Sequence, residues 1–342
     1  MLLKGAKRVV FGGKMGLQIK KCGAVYFFSV FSVGVLVNFS RFCIYYLKEF
    51  SILKLKGVFS ALVTPFNDDG SVDYGALRAN IDWQIEQGVA GVCPVGTTGE
   101  SPTLSPADHL KVIEETVDVV AGRVVVIAGT GANSTEEALH LTQAVQHLGV
   151  DATLQVTPYY NKPNAEGLYR HFSAVADLGV PVVLYNVPGR SAKEIPLDVV
   201  ARLAKHPNVC AIKEAAGSVD RVSAIRQIAA DLTILSGDDS LTLPMISVGA
   251  EGVISVCSNV IPREMSQLVA LALQGDYAGA RALHEKYYPL FRDMFCDTNP
   301  IPVKAALAMM GKIRQVYRLP LCEPSEANMA VIRKTMEKLN LI

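Results

Sequence analysis

The chain has 342 residues, half of them hydrophobic, enough to bury a large core as one big domain or two modest ones. Eight of its 33 basic residues lie within 1–48 with no acid among them, so the rest carries 25 basic against 32 acidic residues, a net of −7. A mildly acidic body disfavours nucleic acid as a partner, because phosphate binding needs a basic face. The seven cysteines are scattered, odd in number and never spaced C-x-x-C, which excludes a readable disulfide framework or zinc site and fits reduced thiols in a cytosolic protein.

Residues 1–56 read as a leader. An apolar run, 24–38, lies between Lys20-Lys21 and Arg41. It is short for a spanning helix, which needs about 20 apolar residues. No membrane partner is therefore expected. A signal-peptide core, an organellar transit peptide and translation from an upstream start remain as readings. The last accords with a barrel that begins cleanly near Gly57.

From Val58 onward, short β-branched runs alternate with amphipathic segments. The pattern predicts strands over 58–63, 90–95, 124–128, 152–157, 181–185, 209–213, 232–235 and 252–256. Tyr74, Leu77, Ile81 and Ile85 form one stripe at helical spacing. Ser105-Pro106-x-Asp108 and the capping box Ser134-x-x-Glu137 start two further helices. Eight strand–helix units predict a (β/α)8 TIM barrel over 57–276. Helices over roughly 263–274, 277–295, 300–312 and 324–339 follow the eighth strand, and 277–342 is expected to be a C-terminal helical appendage, packed beside the barrel or building a subunit interface.

Barrel active sites lie at the C-terminal ends of the strands, and the ends here are polar. Strict alternation puts Val209, Ala211 and Lys213 on one face, with Cys210 and Ile212 on the other, so Lys213 points into the barrel mouth. Partial desolvation there favours the neutral amine, a nucleophile for a Schiff base. Pairing with a neighbouring acid such as Glu214 is the competing reading. Tyr185 ends the preceding strand on the inward alternation and can shuttle protons beside an amine, or simply fill the barrel top. The loop Gly96–Ser101 offers backbone N–H groups and hydroxyls suited to a small carboxylate, unless it only caps the next helix. Arg190 can grip a second carboxylate with two prongs, or lie idle on the surface.

Four motifs in this order, G-T-T-G-E-S (96–101), T-P-Y-Y-N-K-P (157–163), L-Y-N-V-P-x-R (184–190) and I-K-E (212–214), resemble the 4-hydroxy-tetrahydrodipicolinate synthase (dihydrodipicolinate synthase) family over about 57–342. The resemblance implies a cytoplasmic lyase, on the route to diaminopimelate and lysine, that condenses pyruvate with aspartate semialdehyde. It implies Lys213 as the imine-forming residue and Thr98, Tyr185 and Tyr160 as a proton relay, Tyr160 being lent across a subunit interface. It assigns Thr97 and Thr98 to the pyruvate carboxylate and Arg190 to that of the semialdehyde. No metal or organic cofactor is required, because the imine is the electron sink. The resemblance also implies a homo-oligomer, a tetramer built as a dimer of dimers, and a lysine feedback site at Ser101, His109, Asn133, Glu137 and Tyr159. Pro102 and Pro106 depart from some lysine-sensitive members.

The N-acetylneuraminate and 2-keto-3-deoxy sugar acid lyases share the barrel, the lysine and the tyrosine. Thr97-Thr98, where those lyases typically read Ser-Thr, and Arg190 favour the synthase. A non-catalytic keto-acid-binding relative is disfavoured by the presence of Lys213, Tyr185, Thr98 and Tyr160 together. The six histidines have no metal-ligand spacing, which argues against a metal-dependent aldolase.

Overall fold

The β-branched runs form eight parallel strands that close into a barrel in the computed structural model, which describes residues 7–11, 15–22, 25–31 and 53–342. The strands are β1 (Gly57–Ala61), β2 (Gly91–Cys93), β3 (Val125–Gly129), β4 (Ala152–Val156), β5 (Val182–Asn186), β6 (Val209–Glu214), β7 (Thr233–Ser236) and β8 (Gly252–Ser255). Closure is made where β8 pairs with β1, Gly252 opposite Gly57 and Val253 opposite Val58. A Cβ at position 252 would stand 2.0 Å from the Gly57 carbonyl oxygen, so this seam requires glycine.

A helix follows each strand: α1 (Tyr74–Glu86), α2 (Pro106–Val120), α3 (Thr135–Val145), α4 (Ala165–Ala176), α5 (Leu197–Leu203), α6 (Val219–Ile228), α7 (Thr242–Ser247) and α8 (Pro262–Leu273). Their starts are chemically marked. Asp73, Ser105 and Ser134 accept from the backbone N–H groups of Ala76, Asp108 and Glu137, which satisfies donors the first turn leaves free.

Period-2 alternation sorts the side chains into two cores. Phe59, Ile127, Leu154, Val183, Leu235 and Ile254 fill the barrel interior. Val58, Val126, Val182, Leu184, Ile234 and Val253 face the helices. Each such fully buried aliphatic side chain contributes roughly 1.5–3 kcal/mol. Strand β4 turns polar residues outward, where Gln155 Nε2 donates to Thr130 Oγ1 at 2.7 Å and to Thr142 Oγ1 at 3.2 Å.

Three further helices, α9 (Tyr277–Asp293), α10 (Ile301–Met309) and α11 (Glu326–Lys338), pack on one another and against the turns that follow β7 and β8. The sequence left the appendage's position open; it lies beside the barrel, next to the mouth.

Residues 7–11, 15–22 and 25–31 form three antiparallel strands of a separate unit. The second half of the apolar run at 24–38 lies outside the described residues. Among the described residues no helix is long and apolar enough to cross a membrane.

Candidate active site

Strict alternation fails at the start of β6. Val182 pairs with Val209, while Val183 pairs with Ala211. Cys210 is thus the extra residue of a bulge. It packs against the barrel interior, its thiol donating to the Val182 carbonyl at 3.3 Å, while Val209 joins the layer beneath the helices. From Ala211 the alternation resumes, Ala211 inward and Ile212 outward. Lys213 is therefore inward, 6% exposed, with Nζ 4.4 Å from the centre of the Tyr185 ring on β5.

Glu214 does not pair with Lys213. It turns outward, where Arg221 Nε donates to it at 2.9 Å and Asn186 Nδ2 at 2.8 Å. Burial pushes its carboxyl up, opposed by the Arg221 charge. Among the described residues, no carboxylate lies within ion-pair distance of Lys213.

Lys213 lines an inner chamber of about 80 Å³ with Thr97, Thr98, Tyr185, Arg190, Asp238 and Asn299. Burial pushes the Asp238 carboxyl up, with the Lys213 charge pulling it down and Asp239 and Glu214 adding to the rise. The Cys93 thiol, also on this wall, is pushed up to about 11 by burial.

The carboxylate-binding loop follows β2 and is wound tightly. Val95 and Glu100 have positive φ, 50° and 55°, unfavourable for a β-branched residue and worth on the order of 1–3 kcal/mol of strain each. The amides of Gly99, Glu100 and Ser101 are spent on carbonyls of the loop itself, those of Gly96, Thr97 and Gly96. The Thr97 and Thr98 amides take no part in these loop bonds, which leaves two adjacent donors for an anion. Behind the loop, Glu100 forms a fully buried ion pair with Lys304 of α10 and accepts from the Arg318 amide at 3.2 Å. Thr64 Oγ1 donates to the Gly99 carbonyl at 2.7 Å.

Thr98 is 3% exposed, and its hydroxyl oxygen accepts from Asn299 Nδ2 at 3.0 Å. Arg190 lies on a single helical turn, Pro188–Ser191, and its Nη2 donates to the Asn299 carbonyl at 3.1 Å.

An outer chamber of about 230 Å³ shares Thr97, Tyr185 and Arg190 with the inner one and adds Ser101 and Tyr159. The other residues of the expected lysine set, His109, Asn133 and Glu137, line neither chamber, though two of them bond to residues that line the outer one. His109 Nε2 bonds the Gly129 carbonyl at 2.8 Å, and Asn133 Nδ2 donates to the Tyr159 carbonyl at 3.3 Å. Glu137 is exposed at the start of α3, and its charge acts on both His109 and Tyr159. Burial lowers His109 and raises Tyr159.

Of the residues expected in the relay and substrate contacts, Tyr160 is not brought to the chamber. Tyr160 is 90% exposed, with a left-handed φ of 72°, and it lines neither cavity. Among the wall residues that escaped the sequence reading as site members, four are informative. Asp238 had the signal of a polar strand end, and Cys93 sits on a strand that reaches the mouth. Phe295 and Asn299 had none, because they arrive from beyond α9.

A buried lysine against a tyrosine at neighbouring strand ends, beside a loop with two uncommitted amides, marks the mouth of this (β/α)8 barrel as the site, and the class is a (β/α)8-barrel lyase. Residues 54–339 match the Dihydrodipicolinate synthetase family, and the chain belongs to it. It is 50% identical to the 4-hydroxy-tetrahydrodipicolinate synthase of Methanococcus maripaludis strain C6 over 84% of this chain and 100% of that protein. Among solved structures it is similar to the dihydrodipicolinate synthase of Acinetobacter baumannii complexed with pyruvate, at 43% identity and a TM-score of 0.83, covering 84% of this chain and 100% of that one. It is also similar to the enzyme of Cyanidioschyzon merolae with lysine bound, at 39% identity and a TM-score of 0.82, over 84% and 99% of the two chains.

Proposed function

We propose that Lys213 forms an imine with pyruvate and that the resulting enamine attacks aspartate semialdehyde, giving 4-hydroxy-tetrahydrodipicolinate. The observation that carries this reading is the Lys213 amine, buried in the inner chamber against the Tyr185 ring. The amine adds to the pyruvate ketone, and water leaves. The imine then draws electrons from the methyl carbon, which loses a proton to give the enamine. The enamine carbon bonds to the aldehyde carbon, the product amine adds to the imine, and Lys213 is released.

Each proton moved needs a hydroxyl at hand. Thr98 and Tyr185 line the same chamber as the amine. Tyr160 belongs to the relay of a neighbouring subunit, which its near-complete exposure supports. The unspent amides of Thr97 and Thr98 receive the pyruvate carboxylate. Arg190, exposed at the rim shared by both chambers, receives the carboxylate of the semialdehyde.

The working form is a homo-oligomer, a dimer at least and a dimer of dimers by the family's precedent, in the cytoplasm. Lysine is the feedback inhibitor, bound by Ser101, His109, Asn133, Glu137 and Tyr159. A rate unmoved by millimolar lysine would remove that assignment.

Sodium borohydride added with pyruvate tests the central step. The expected result is a reduced pyruvyl adduct on Lys213, located by peptide mass spectrometry and lost in Lys213→Ala. A folded protein that takes up no adduct is a keto-acid-binding relative without this chemistry.

A further inference from the structure

The residues that follow Tyr185 and Lys213 are tied to each other behind the chamber. Tyr185 and Lys213 are cross-strand partners, and so are the next two, Asn186 and Glu214. Asn186 and Glu214 are fully buried and line neither chamber. Asn186 Nδ2 donates to both carboxylate oxygens, at 2.8 and 3.1 Å. Its Oδ1 accepts from the Ile195 amide at 2.9 Å, which fixes the way the side chain is turned. The carboxylate also accepts from the Ala216 amide and from Arg221 Nε, each at 2.9 Å. This clamp stands at the opposite end of β6 from the bulge. At the bulge, Val209 faces the helices opposite Val182. Plain alternation from Val209 would turn Ala211 and Lys213 outward, and Ile212 and Glu214 into the chamber. The extra residue, Cys210, reverses this, so that Ala211 faces inward and Ile212 outward. The direction of Lys213 therefore depends on the bulge. Without it, Glu214 would leave Asn186, Ala216 and Arg221 behind, and the lysine amine would enter the aliphatic layer under the helices. Both changes oppose the loss, because a buried charge parted from its partners is strongly unfavourable.

We propose that Glu214 and Asn186 are positioning residues: their clamp holds the bulge at Cys210, and the bulge keeps Lys213 turned inward against Tyr185. This rests on the reading of Lys213 as the imine-forming residue. In Glu214→Gln the new amide faces the Asn186 amide or the Arg221 guanidinium donor to donor. Exchanging the two groups, Asn186→Asp with Glu214→Gln, restores the pairing: the Gln amide donates to the Asp, and its oxygen accepts from Arg221. Deleting Cys210 removes the need for the clamp. The ladder becomes regular from Val209 to Glu214, with every remaining side chain facing as before.

The experiment measures how fast folded protein forms the imine at subsaturating pyruvate, by quenching with borohydride at timed intervals and quantifying the adduct on Lys213. Circular dichroism and urea midpoints establish folding. Glu214→Gln is expected to form the imine about 10–100-fold more slowly than wild type, since a misplaced nucleophile loses rate steeply. The exchange variant is expected within about threefold of wild type. The deletion of Cys210 is expected to fold and to form the imine within about tenfold of wild type. Adding Glu214→Gln to the deletion is expected to slow it less than about twofold. Three results overturn the proposal: a folded Glu214→Gln within twofold of wild type, a deletion variant that does not fold, or the same loss from Glu214→Gln in both backgrounds. If Glu214→Gln alone does not fold, the deletion background decides, where Glu214→Gln must fold and form the imine for the proposal to stand. A wild type that takes up no adduct overturns the Schiff-base reading itself, before any variant is compared.

Discussion

Two residues store unfavourable states that can be measured. His171, on α4, is 5% exposed; Thr135 Oγ1 meets its Nδ1 at 2.9 Å, and its Nε2 has no partner among the described residues. Burial pushes its pKa down to about 4 from an ordinary 6.5. Between those two pH values the unfolded chain takes up a proton that the folded chain refuses. Stability is therefore whole above pH 6.5 and is lost as the pH falls towards 4, by about 3 kcal/mol in all. Urea unfolding of the wild type and His171→Leu across pH 7.5 to 4 should show the wild type losing this much relative to the variant. Parallel curves would remove the argument. Tyr160 is the second residue. Its φ of 72° strains a bulky side chain that buries almost nothing in its own chain. Strain without local return makes sense where a second subunit supplies the contact.

Among the elements, α10 matters most to the site. Lys304 and Glu100 are both fully buried, so the pair pins the carboxylate-binding loop to a helix 204 positions away. Lys304 also lies 4.2 Å from the Phe66 ring centre. Lys304→Met leaves the Glu100 carboxylate with only the Arg318 amide, at an expected cost of roughly 3–5 kcal/mol. Adding Glu100→Gln should recover part of it, as read from urea midpoints; a Lys304→Met protein as stable as the wild type would contradict this. All eight strands and the four C-terminal helices were legible to within about two or three residues at most ends, because β-branched runs and capping serines act locally. That Lys213, Tyr185, Thr98 and Arg190 stand at polar strand ends was legible, and all four line the inner chamber. The bulge at Cys210 was not, since it depends on how β5 and β6 pair. Asn299 and Lys304 were not either. Their meaning lies in partners some 200 residues earlier, and no local periodicity records such a distance.

At the scale of the whole molecule, the proposed relay draws Tyr160, which lines neither chamber of its own chain, from a neighbouring subunit, and mixed oligomers test this. Lys213→Ala and Tyr160→Phe homo-oligomers should each be nearly inactive. Dissociated, mixed and reassembled, they should regain activity, because a mixed pair holds one site with both an intact lysine and its neighbour's tyrosine. Random pairing as a two-fold dimer predicts about a quarter of wild-type activity, and a mixture no more active than its parents would place Tyr160 outside the relay. The order of synthesis adds a different constraint. Phe295, Asn299 and Lys304 are translated after every strand of the barrel. At about 5–20 residues per second, the ribosome makes the stretch from Lys213 to Asn299 in on the order of ten seconds. For that interval a nascent chain carries its amine but no finished wall around it. A chain ended before residue 295 therefore lacks two residues of the chamber wall and the partner of Glu100, although every strand and Lys213 have already been made.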